Sequence, residues 1–66
     1  MTATKEQLKE LMDDSLNHAI ELANTQKDVQ AIQRFSKLKI MNAYDNELSI
    51  AERMEVAQYL FKGMFK

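Results

Sequence analysis

Apolar side chains recur along this chain at helical spacing, in three stretches separated by polar residues. The most sharply bounded stretch is Leu48–Phe61, LSIAERMEVAQYLF. Ser49 followed three residues later by Glu52 is a capping box, in which each side chain serves the other residue's backbone N–H. Behind that cap, Ile50, Met54, Ala57, Phe61 and Met64 recur on one face, so the pattern predicts a helix over 50–62 packed through that stripe. Gly63 is the expected C-terminal stop. Lys62 lies near the negative end of the dipole, and Met64 and Phe65 are expected to fold back against the core.

The first helix is expected over 5–23. Thr4 and Gln7 form a second capping box. Leu8, Met12, Ala19 and Ala23 form the centre of its stripe, flanked by Leu11, Leu16 and Leu22. The opposite face carries Glu6, Glu10, Asp13, Asp14, Asn17 and Glu21. Lys5 and Lys9 set against five acids give this segment a net charge of −3.

Asn24-Thr25 is the expected break, because Thr25 and Asp28 match a helix-start signal and Asn24 tolerates a left-handed cap. Without Gly or Pro there, one long bent helix from Lys5 to Tyr44 is the alternative. The second helix is expected over 26–44. Val29, Ile32, Ile40 and Ala43 form one stripe, and Ala31, Phe35 and Leu38 a second beside it. An arc that wide predicts more than one neighbour, and hence a central helix. Its remaining face carries Lys27, Gln30, Arg34, Lys37 and Met41, with a segment charge of +3 from four cations against Asp28. Asp45-Asn46-Glu47 is the expected connector to the third helix.

Composition supports this all-α reading. Proline is absent and Gly63 is the only glycine, whereas tight turns and hairpins draw on both. Sixty-six residues make one small domain with a marginal core. Without cysteine the chain has neither disulfides nor thiolate metal ligands to staple it, which leaves helix packing and oligomerisation. The expected fold is a small three-helix bundle, or a helical hairpin plus a third helix, that dimerises. A net charge of −1 disfavours general nucleic-acid or anionic-membrane binding. No apolar run approaches the roughly 20 residues of a membrane span, and the charged N-terminus lacks a signal-peptide core, so the expected location is cytoplasmic.

Catalytic chemistry finds little support. There is no phosphate loop, zincin motif or nucleophile elbow. His18 stands alone with Asp14 one turn before it, which reads as a surface ion pair beside Ser15. Asp45, Glu47 and Ser49 have the opening spacing of a calcium loop but lack its glycine and its closing glutamate. The expectation is therefore a non-enzymatic protein–protein interaction module with no cofactor and no metal. The candidate partner-binding residues are Lys27, Gln30, Arg34, Lys37 and Met41 on the second helix, with Tyr59 as an exposed aromatic on the third. The alternative is a small DNA-binding regulator that reads bases with the basic face of the second helix.

Overall fold

A computed structural model of the chain describes residues 4–44 and 47–64. Its elements are three helices, α1 (Lys5–Gln26), α2 (Val29–Ala43) and α3 (Ile50–Met64), with no strand among the described residues. The fold is all-α. The Asp45-Asn46 part of the connector and the tail beyond Met64 lie outside the described residues.

Both capping boxes form as the sequence predicts. Thr4 Oγ1 accepts from the Gln7 N–H at 3.1 Å, and the Gln7 side chain accepts from the Thr4 N–H at 2.9 Å. Ser49 Oγ and Glu52 make the same reciprocal pair at 3.1 and 2.8 Å. Each box satisfies two of the N–H groups that a helix start leaves without intrahelical partners.

The first break falls later than expected. α1 continues through Asn24 and Thr25 to Gln26, and the Thr25 hydroxyl bonds back to the Glu21 carbonyl instead of capping α2. Lys27 then turns left-handed, with φ 57° and ψ 35°. Its N–H donates to Asn24 O at 3.1 Å, and the Asp28 N–H donates to Ala23 O at 2.9 Å. Those two bonds are a Schellman motif. Asp28 at once caps α2 by accepting from the Ala31 N–H. Two residues, left-handed Lys27 and the cap Asp28, therefore separate the two helices, and the single long helix is ruled out.

The core is built from Leu16 and Ala19 of α1, Phe35 and Leu38 of α2, Leu48, and Val56 of α3. Met12, Ile20, Ala31, Met41, Tyr59 and Leu60 pack around it. α1, not α2, is the element on which both other helices lie, and α2 and α3 approach each other mainly through side chains. α2 runs antiparallel to α1: buried Asn42 donates to the Lys9 carbonyl at 3.1 Å, and Lys39 bonds Asn17 further along. α3 runs in the same direction as α1, with Leu48 near Leu8 at one end and Gly63 against Leu22 at the other.

With only one broad neighbour, α2 buries Phe35, Leu38 and Asn42 and leaves Ala31 half-covered. In the companion stripe Val29, Ile40 and Ala43 are exposed and Ile32 is half-buried.

α3 is rotated relative to the sequence expectation. The stripe expected to pack inward faces solvent: Ile50 is 75% exposed, Met54 53% and Phe61 63%. Leu48, Val56, Tyr59 and Leu60 take the inner side. The rotation follows from three fittings. Glu55 reaches Arg34, Tyr59 stacks on Phe35, and Gly63 lies where a Cβ would overlap the Leu22 side chain. Gly63 thus allows a close approach between helices. It is not a C-cap: it lies inside α3 and its φ is not positive. Met64 continues the helix past it.

Candidate functional site

The rotation of α3 brings several of the sequence candidates together. α2 presents Gln30 and Arg34, α3 presents Glu55 and Tyr59, and the four line one shallow hollow with Asp28 at its rim. The Arg34 guanidinium meets the Glu55 carboxylate through two bonds, Nε–Oε2 at 2.9 Å and Nη2–Oε1 at 3.3 Å. A planar guanidinium matched to a carboxylate in this way is fixed in direction as well as charge. Hydrogen bonding to Glu55, then its charge, pushes the Arg34 pKa up from its ordinary value.

Tyr59 is half-buried, where the sequence suggested an exposed anchor. Its ring meets Phe35 edge-on, with centroids 5.0 Å apart and planes inclined by 69°. Its hydroxyl lies 3.2 Å from Asp28 Oδ2 and 3.3 Å from Gln26 Oε1. Burial, reinforced by the bond to Asp28 and by that carboxylate's charge, raises the phenol pKa. Asp28 therefore caps α2 with one oxygen and holds α3 with the other.

The remaining candidates are placed elsewhere. Lys27 is exposed and occupies the left-handed junction, and Lys37 is exposed further along α2. Met41 is half-buried against the core. The ribbon is not uniformly basic in three dimensions. Arg34 is held by Glu55, and Glu52 feels both Arg34 and Lys37. The Ser49 backbone bond is the main cause of the lowered Glu52 pKa, and the Ser49 hydroxyl and the two cations add to it.

The groups considered for catalysis are engaged in helix bonding. His18 Nδ1 sits 2.8 Å from the Asp14 backbone carbonyl, in place of a pair with the Asp14 carboxylate. The Ser15 hydroxyl donates to the Leu11 carbonyl. Among the described residues no three His, Cys, Asp or Glu side chains converge for a metal, and no helix is long and apolar enough to cross a membrane. The calcium-type spacing includes Asp45, which lies outside the described residues.

A second surface was not anticipated as a surface. The groove between α1 and α3 is lined by Met12, Ser15, Arg53, Ala57 and Phe61. Leu8 shares an adjoining hollow with Arg53. Leu8 and Leu11 remain well exposed on α1, as do Ile50 and Met54 on α3. The available signal was competition between faces. Val56, Leu60 and the small Gly63 lie together on the other side of α3, and Tyr59 and Glu55 there have partners on α2. No family model, curated protein or solved structure matches this chain.

Proposed function

We propose that this chain is a non-enzymatic helical interaction module, a small regulator, adaptor or inhibitor that self-associates as a homodimeric bundle and acts by docking a helical face on a partner protein. The observation that carries the reading is the amount of large apolar side chain left outside. Leu8, Leu11, Ile50, Met54 and Phe61 project on the α1/α3 side, and Val29, Ile40 and Tyr44 project from α2. Contiguous exposed apolar surface rimmed by polar groups is the usual mark of an interaction site. The charged residues suit the same use: acidic α1 and basic α2 give a partner a direction of approach more than affinity. A cytoplasmic setting accords with a chain that needs no disulfide.

The DNA-reading alternative is weaker. Of the cations on the α2 face, Arg34 is committed to Glu55, and Lys37 lies within the electrostatic reach of Glu52. A phosphate would displace those carboxylates or lie beside them. Titration of the chain into labelled duplex DNA at moderate salt tests the choice. The module reading expects no saturable binding. Binding with a steep salt dependence, lost in the Arg34→Ala/Lys37→Ala variant, would establish the DNA reading instead.

A further inference from the structure

We infer that the half-enclosed hollow beside the first turns of α1 is a docking site for the C-terminus of a partner protein, one that ends in a short branched aliphatic residue such as valine. The inference rests on the module reading and names the part of the partner that the module holds.

The hollow has an apolar floor and a cationic wall. Leu8 and Met12 of α1 form the floor with buried Leu48, which precedes α3. Lys5 of α1 and Arg53 of α3 stand in the wall, and both are exposed. Neither makes an ion pair among the described residues. In the hollow between α2 and α3, by contrast, Arg34 is committed to Glu55. The sorting of charge on α1 is equally marked. Lys5 and Lys9 are its only lysines and both line this hollow, whereas Glu6, Glu10 and Asp13 line another. Lys9 is occupied, because its Nζ donates to the Ala43 carbonyl at 3.3 Å. Lys5 and Arg53 are therefore the cations that a ligand would meet, set against one carboxylate in the lining, Glu47.

These features define the ligand. The wall calls for an anion and the floor for an apolar group beside it. A carboxylate suits the wall, since a guanidinium binds it through two parallel bonds and a lysine adds a point charge. Size then restricts the apolar group. The cavity volume is about 50 Å³. That is a third of the roughly 150 Å³ that admits a benzene ring. A short branched aliphatic side chain fits, and an aromatic ring does not. The last residue of a protein carries a side chain and a carboxylate on one Cα.

Asn42 favours a chain terminus over a free aliphatic acid. It lines the same hollow and is only 7% exposed. Its Nδ2 donates to the Lys9 carbonyl at 3.1 Å, and its Oδ1 has no partner among the described residues. The N–H of a terminal residue supplies the donor that this oxygen lacks. A free aliphatic acid has no such group.

Methyl NMR of the isotope-labelled chain, titrated with small probes, tests the site. The peptide Gly-Ser-Gly-Ser-Gly-Val with a free carboxylate should shift the Leu8, Met12 and Leu48 methyl signals saturably. The same peptide amidated at its C-terminus should bind at least about tenfold more weakly, the loss of one charge-assisted contact. Lys5→Glu and Arg53→Glu should each weaken the acid peptide by a similar factor. Both positions are exposed, so circular dichroism should show their helix retained. A peptide ending in Phe should bind more weakly than the one ending in Val. Equal binding of the acid and the amide would overturn the carboxylate seat. Binding of isovalerate as tight as that of the peptide would overturn the chain terminus as occupant, and Phe binding as tightly as Val would overturn the size argument. No saturable shift with any probe would overturn the site and leave the module reading standing, since the DNA titration tests that reading separately.

Discussion

Lys27 carries a conformation that its side chain disfavours. A left-handed non-glycine residue costs roughly 1–2 kcal/mol, and Lys27 is the only positive-φ residue among those described. The Schellman bonds and the immediate cap from Asp28 hold it there. Lys27→Gly should therefore raise stability by about 1 kcal/mol, a Tm gain of roughly 4–8 °C in a domain of this size. Thermal melts followed by circular dichroism would show it, and a loss of stability would contradict this account of the junction. Tyr59 makes the opposite case, a polar tip that is used. Tyr59→Phe keeps the edge contact with Phe35 and removes the hydroxyl from Asp28 and Gln26, so it should cost about 1 kcal/mol in urea unfolding. The sign with pH is fixed by the raised phenol pKa. The folded state holds the proton more tightly, so this contribution is present below the unfolded value near 10 and is lost as pH rises through the folded value. The Phe variant should lack that alkaline decline.

Among the elements, α3 starts where the sequence places it because the cap is a local device. Ser49 and Glu52 need only each other, and their bonds form wherever the helix packs. The lowered Glu52 pKa, due first to the Ser49 N–H, means that the carboxylate stabilises the fold above its unfolded pKa near 4.3 and ceases to as pH falls through the folded value. Glu52→Gln keeps a capping acceptor without the charge. Melting temperature in that variant should fall less steeply between about pH 5 and 3, where an ordinary Glu protonates, than in the wild type. The rotation of α3 was not legible in the same way. Its two faces are both apolar at helical spacing, and the choice between them depends on Arg34, Phe35 and Leu22, far away in sequence. The α1–α2 junction was obscured for a related reason. Thr25 and Asp28 offered a start signal, but Asp28 is itself the cap and a lysine occupies the position that glycine ordinarily marks. Gly63 invited the reverse error, since it reads as a helix stop and serves as a contact.

At the scale of the molecule, a 66-residue chain without disulfides leaves two apolar faces outside a core of six buried side chains. Large apolar side chains are exposed on all three helices, Leu8 and Leu11 on α1, Val29 and Ile40 on α2, and Ile50, Met54 and Phe61 on α3. The candidate site shows the same division. Gln30, Arg34 and Tyr59 line one hollow, but Arg34 is bonded to Glu55 and the Tyr59 hydroxyl to Asp28 and Gln26, so those two are engaged inside the chain. The large side chains left without cover are the apolar ones on the outer faces of the helices. The most direct test of the proposed self-association through the exposed α1/α3 side uses the methionines as reporters. Met54 is exposed on α3, and Met41 packs against the core from α2. In methyl NMR spectra of methionine-labelled chain over a wide dilution range, the Met54 signal should move with concentration along a dimerisation isotherm, and Met41 should hold its position. A Met54 signal that stays fixed across the whole range would contradict the account.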